Sequence, residues 1–184
     1  MQKPILSCSL FLTLALALAP TTVKAQKSYA IALGGGAAIP VGKLSDNQKT
    51  GFNAMAAFAI GVADLPFGFR IDALYNNLSH TGTVSGGSAP SDLRVQAAIA
   101  NAVFAFPGTS AKAYVLAGAG IYNSKADTPG AKSESDWGFN GGVGATFGFG
   151  PLAMFMESRY HSISRSESKG GVYQFVPITL GLMF

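Results

Sequence analysis

The stretch Val172-Tyr-Gln-Phe-Val-Pro-Ile-Thr-Leu-Gly-Leu-Met-Phe184 decides the fold. From Val176 onward one parity is apolar (Val176, Ile178, Leu180, Leu182, Phe184). The other (Pro177, Thr179, Gly181, Met183) is mostly small or polar. A period of two marks a strand, because successive side chains point to opposite faces. At about 3.3 Å per residue the stretch reaches about 43 Å. Tilted by about 40°, it rises about 33 Å, more than the apolar band of about 25 Å around a membrane-spanning barrel. A water-exposed edge strand this long, apolar and uncharged would template aggregation. Paired on both edges and faced by hydrocarbon, it carries no such hazard.

The beginning of the chain agrees with export. Met1 to Ala25 has Lys3 near its start, an apolar run from Ile5 to Ala19, and Val23-Lys24-Ala25 before Gln26. Small residues three and one before the cut suit signal peptidase, so a secretory signal over 1–25, cleaved after Ala25, is predicted, with one domain over 26–184. A transmembrane anchor is the alternative, but the apolar run is short for a span. Ile5-Leu-Ser-Cys8 has the form of a lipoprotein cleavage box, yet no hydrophobic core precedes it. Cys8 is the only cysteine, so no disulfide framework is expected in the mature chain.

Composition narrows the class. The chain has 13 Lys+Arg and 9 Asp+Glu; without Lys3 and Lys24 the balance is 11 − 9, or +2. No concentrated basic stripe exists of the kind nucleic acid requires. Charged residues are 12 %, about half the usual share of a soluble domain, while glycines number 23.

Alternating segments repeat along the chain: Ser28–Val41, Gly51–Val62, Phe69–Leu78, Asp92–Phe106, Ala113–Tyr122, Trp137–Phe149, Leu152–Ile163 and the closing stretch. Connections after the first, third, fifth and seventh are long and polar; those after the second, fourth and sixth are short. Such asymmetry fits an all-β, eight-stranded, antiparallel up-and-down transmembrane barrel. In the fourth segment Leu93, Val95, Ala97 and Ile99 oppose Arg94, Gln96, Ala98 and Ala100. Asn101 then falls on the apolar parity, which predicts a bulge or parity change near it. Aromatics gather at strand ends: Phe67, Phe69, Phe106, Tyr114, Phe149 and Phe184 toward the short turns, and Phe52, Tyr75, Tyr122, Trp137, Tyr160 and Tyr173 toward the long loops. Two interfacial girdles are expected.

Trp137 to Met156 offers a rival, being uncharged and long enough for a membrane helix. Its glycines and Pro151 would cost a helix about 1 and about 3 kcal/mol each, and its alternation around Gly148-Phe-Gly-Pro151 favours a hairpin.

If the apolar parity faces lipid, Arg70, Asp72, Arg94, Glu157, Arg159 and His161 face the lumen. Eight strands enclose a space just filled by side chains, so these charges are expected to pair. A structural ion-pair core is the first reading; a gate or proton path is the alternative.

Three stretches together carry a resemblance: Ala113-Tyr-Val-Leu-Ala-Gly-Ala-Gly120, Glu157-Ser-Arg-Tyr-His161 and Val176-Pro-Ile-Thr-Leu-Gly-Leu-Met-Phe184. The chain resembles the outer-membrane β-barrel domain family, including the small OmpA- and OmpX-like barrels of Gram-negative bacteria. The resemblance implies residence in the cell outer membrane. It also implies a C-terminal assembly signal in which Ile178, Leu180, Leu182 and Phe184 are read by the insertion machinery. Implied partners are outer-membrane lipid and lipopolysaccharide, the assembly machinery and periplasmic chaperones, with no nucleic acid and a monomeric state. No peptidoglycan-binding domain follows Phe184, so no cell-wall tether is expected.

The expected role is structural or surface-interacting, through the loops Lys43–Thr50, His80–Ser91, Asn123–Asp136 and Ser164–Gly171. A narrow, porin-like channel for small solutes is the alternative, against which the barrel's size argues. An enzyme acting on lipid A is a third reading. Arg159-Tyr-His161-Ser162-Ile-Ser164 is similar to the lipid A deacylases, in which a His activates a nearby Ser. In that family the Ser follows two after the His, and here that position is Ile163. His80, Ser79 and Asp72 suggest a triad, but eight residues of strand separate Asp72 from His80, more than about 20 Å. A soluble lipocalin-like barrel would invert the pattern, apolar inside. No catalytic set, cofactor or metal site is expected.

Overall fold

A computed structural model of the chain describes residues 28–62, 65–80, 91–108, 111–149, 152–166 and 171–184. The predicted signal segment with its cut after Ala25 lies outside the described residues, as does 81–90 of the second long connection. Eight strands follow one another: β1 (Ser28–Val41), β2 (Gln48–Gly61), β3 (Phe67–His80), β4 (Leu93–Ala105), β5 (Ala111–Ala126), β6 (Glu134–Phe149), β7 (Leu152–Ile163) and β8 (Tyr173–Met183). Each pairs antiparallel with the next, and β8 returns to β1 to close a barrel. The closing seam runs to the last residue. Ile31 N donates to Phe184 O at 2.8 Å, and Phe184 N donates to Ile31 O at 2.9 Å. Closure pairs every strand on both sides, which hydrocarbon demands of backbone polar groups.

The outside is apolar. Ile31, Leu33, Phe69, Ile71, Phe139, Val143, Ile178, Leu180, Leu182 and Phe184 are all exposed. Trp137 to Met156, the rival helix, forms the arms of the β6–β7 hairpin, paired from Gly138↔Ile163 down to Phe149↔Leu152. The β7–β8 ladder is interrupted opposite Pro177, which has no N–H to donate.

Strand lengths differ from the alternating segments, most of all at β5 and β6. Both run to 16 residues, about 53 Å long and about 40 Å high at a tilt of about 40°. At 11 residues, β8 rises only about 28 Å, just enough for the apolar band. The β5–β6 pair therefore projects beyond the membrane at the long-loop end. Its ladder continues through Asn123↔Ser135 and Ser124↔Glu134, where a loop is expected from sequence.

Three expectations are overturned. β4 pairs with β5 without interruption from Leu93 to Ala105, so no bulge marks Asn101; the irregularity lies instead between Lys49 and Phe52. Arg94 does not face the lumen. The inward parity of β4 is Leu93, Val95, Ala97, Ile99 and Asn101, all buried, and Arg94 sits on the outer face. Alternation shows that two faces exist but not which is inside. Here the upper lumen is apolar, and it takes the branched residues while small alanines meet lipid. Lastly, Tyr114 and Tyr122 belong to no girdle, because both are buried in the lumen, and Tyr173 lies on the inward parity of β8.

Candidate functional site

The lumen is built from alternate residues of every strand. Arg70 and Asp72 point inward from β3, Glu157 and Arg159 from β7, and no more than 3 % of any of the four is exposed. They form a closed cycle in which each acid bridges both arginines. Arg70 donates from Nη1 and Nη2 to the Glu157 carboxylate at 2.8 and 2.9 Å. Arg159 Nε lies 2.7 Å from Glu157 Oε1, and its Nη1 donates to Asp72 Oδ2 at 2.5 Å. Arg70 Nε, 2.9 Å from Asp72 Oδ1, closes the cycle as a charge contact, with Nη2 donating to Oδ2 at 3.2 Å. Two positive and two negative groups leave no net charge.

Neutral side chains complete the coordination. Tyr114 OH donates to Glu157 at 2.7 Å, Asn101 Nδ2 to Asp72 at 2.9 Å, and Asn140 Nδ2 to Asn101 Oδ1 at 2.9 Å. The wall beside the cycle must be thin. A Cβ on Gly142 would stand 2.5 Å from Arg159 Cγ, and one on Gly144 would enter the Tyr114 ring. Glycine is required where a long side chain lies flat on the neighbouring strand.

Toward the long loops an aromatic layer covers the ions. Tyr122 OH lies 2.8 Å from His161 Nδ1, and the His161 ring stacks on Phe175 at 4.9 Å between centroids. Leu78, Leu93, Val95 and Ile163 pack around them, and Leu44 from the 3-10 turn Gly42–Asp46 joins the same cluster. Toward the short turns Leu116 and Phe155 are buried.

Of the six residues expected in a lumenal cluster, the structure joins Arg70, Asp72, Glu157 and Arg159. It places His161 in the adjoining layer and leaves Arg94 outside, paired with Asp127 at the surface. Sequence reasoning missed Tyr114, Asn101 and Tyr122; alternation places Asn140 inside but does not join it to the cluster. One signal was available: Tyr114 and Tyr122 share the parity of Gly118 and Gly120, opposite the apolar parity of Val115, Ala117, Ala119 and Ile121. Ile178, Leu180, Leu182 and Phe184 line one outer face of the closing seam.

Neither hydrolytic grouping is assembled. His161 is buried in the lumen, whereas Ser162 lies on the opposite parity and Ser164 is exposed beyond the strand. Asp72 is committed to the ion cycle, and the His80 backbone N–H donates to Asp92. Among the described residues, no three His, Cys, Asp or Glu side chains are placed to hold a metal.

At the outer rim Arg165 donates to Asp136 at 3.2 Å, pairs with Glu134, and lies 4.2 Å over the Tyr173 ring. Burial works against its charge, but hydrogen bonds and charge attraction from Glu134 and Tyr173 together outweigh it and raise the Arg165 pKa above its ordinary value. This group ties the β5–β6 extension to the segment after β7.

The model of a family described as "Outer membrane protein beta-barrel domain" matches residues 9–184. Among solved structures, Neisserial surface protein A superimposes with a TM-score of 0.66 at 16 % identity, over 85 % of this chain and 97 % of that one. A major outer membrane protein from Thermus thermophilus gives 0.54 at 12 % identity, over 85 % and 99 %. Ail, the attachment invasion locus protein of Yersinia pestis, gives 0.50 at 20 % identity, over 88 % and 100 %. At these identities the likeness is one of fold. No curated protein sequence matches.

Proposed function

The chain belongs to the outer-membrane β-barrel domain family, and from that premise we propose a structural or surface-interaction role, exercised by the connections outside the cell, with the lumen shut to solutes. The observation that carries this reading is the filled cross-section. A four-charge cycle with no net charge spans the barrel between β3 and β7, roofed by Tyr122, His161 and Phe175. An ion passing through would have to displace buried, charge-assisted hydrogen bonds between arginines and carboxylates, which are strong. The rim supports the second half of the reading. The β5–β6 extension and Arg165 hold polar surface clear of the membrane, and two of the solved barrels are named for the surface and for attachment.

The same reading includes export by a signal cut after Ala25 and insertion guided by Ile178, Leu180, Leu182 and Phe184. N-terminal sequencing of the mature protein checks the first; residue 26 is the expected start. Single-channel recording in planar bilayers tests the closed lumen. A silent bilayer at insertion levels verified by gel is expected, and steady conductance steps would overturn it.

A further inference from the structure

We propose that residues 39–46 and 173–176 form a two-stranded flap over the long-loop mouth of the barrel, hinged at Ala38 and Pro177, which swings off β2 and uncovers Leu78 and Leu93 while the ion cycle below stays closed. Ile31 and Phe184 exchange both of their backbone bonds. In an antiparallel ladder the bonding side alternates from residue to residue. Even residues of β1 therefore turn their N–H and C=O toward β2, and odd residues of β8 turn theirs toward β7. Pro40 and Pro177 both fall on these outer sides, where proline has no donor to give. The ladders break there. β1 pairs with β2 only as far as Ala38↔Gly51, and β7 with β8 skips from Ser158↔Ile178 to His161↔Phe175. Between the two breaks the flap holds together through Ile39↔Val176 and Val41↔Gln174.

Packing around the flap suits a moving part. Along its free edge β2 has turned away, because the register shifts between Lys49 and Phe52 and both Gln48 and Lys49 pair with β3. The flap meets the fixed rim across a crevice of about 200 Å³, with Lys43, Leu44 and Tyr173 on one side and Gln48, Ser91 and Leu93 on the other. A joint with such a gap lacks the dispersion contacts that would hold it shut. On the opposite edge, three pairs above Pro177 and Arg165 over the Tyr173 ring tether β8 to β7, so the swing is away from β2. Asn53 clasps the base. Its Nδ2 donates to Ala37 O at 3.1 Å and to Ile178 O at 3.5 Å, passing Gly36, where a Cβ would strike Ile178 O. Leu44 and Phe175 ride on the flap and belong to the buried cluster that includes Leu78 and Leu93. None of the bonds among Arg70, Asp72, Glu157 and Arg159 involves the flap. A few element-end residues absorbing the change, beside a strand held by few contacts, is the usual build of a hinge.

The test times the reaction of single cysteines with a small water-soluble thiol reagent, in the full folded chain in detergent and a Cys8→Ser background. Leu78→Cys lies beneath the flap, Ile99→Cys lies at the level of the ions opposite Asp72, and Ser45→Cys is exposed. Leu78→Cys is expected to react about tenfold or more faster than Ile99→Cys, and about tenfold or more slower than Ser45→Cys. Adding Pro177→Val returns a donor to the Arg159 carbonyl and should slow Leu78→Cys about threefold or more, with Ser45→Cys unchanged. A Leu78→Cys rate equal to either reference, or unmoved by Pro177→Val, overturns the flap. Heat-shifted gel migration is read on every sample. Should Pro177→Val lose the shift, Asn53→Ala decides: unclasping the base should speed Leu78→Cys about threefold or more with Ile99→Cys unchanged, and no change, or an equal rise at both, overturns the flap.

Discussion

Replacing Glu157 by Gln keeps the shape of the side chain and removes one charge from a cycle of four. Arg70 loses two charge-assisted bonds of 2.8 and 2.9 Å, Arg159 loses its 2.7 Å contact, and the Tyr114 hydroxyl keeps only a neutral acceptor. What remains is two arginines against Asp72, an uncompensated positive charge enclosed by the barrel. Removing one member of a buried pair costs about 3–5 kcal/mol. Because Gln still accepts one hydrogen bond, the lower end applies, about 3 kcal/mol. With a urea dependence of about 2 kcal/mol per molar, the unfolding midpoint in detergent should fall by about 1.5 M, followed by loss of the heat-shifted gel band. Arg70→Met added to Glu157→Gln restores neutrality and leaves the Arg159–Asp72 pair at 2.5 Å intact. The double variant should then be less destabilised than the sum of the singles by about 2 kcal/mol. A single-variant loss below about 0.5 kcal/mol, or strict additivity, would refute the cycle as a coupled unit.

Other outcomes follow from neighbouring contacts. Gly144→Val drives a side chain into the Tyr114 ring, so folding yield in vesicles should drop sharply, whereas Gly148→Ala, which meets nothing within 4 Å, should fold like the parent. Leu44→Ala opens a gap above Leu78 and Phe175 and should cost about 2 kcal/mol by urea titration, yet leave bilayers silent because the ion cycle still fills the barrel. Arg165→Ala frees Glu134, Asp136 and Tyr173 together. Since these groups are partly exposed, about 1 kcal/mol is expected, visible as several-fold faster tryptic cleavage at Lys132 with gel migration unchanged.

Much of the fold was legible because lipid makes the pattern stringent. With water excluded from the outer face, β8 had to alternate, and its parity is the one read from Ile178 to Phe184. The inward pairs Arg70–Asp72 and Glu157–Arg159 were legible for the same reason, since no charge survives on a hydrocarbon face. β4 misled because Leu, Val and Ile occupy one parity and alanines the other, and either suits lipid. Asn101 was the clue: its inward amide bonds Asp72, so its whole parity is inside. The tyrosines were misread because an amphipathic ring suits an interface and a packed lumen equally. Register, which brings Tyr114 beside Gly144 and Glu157, separates the two, as does the parity both tyrosines share with Gly118 and Gly120.

The inside–outside assignment underlies the ion cycle, the closed lumen and the rim at Arg94 alike, and β4 is where it is most exposed to contradiction. In a Cys8→Ser background, spin labels placed singly from Leu93 to Phe104 and read for collision with dissolved oxygen in vesicles test it directly. High oxygen access at the even positions 94 to 104 and low access at the odd positions is expected. The opposite phase, or no alternation, would contradict it.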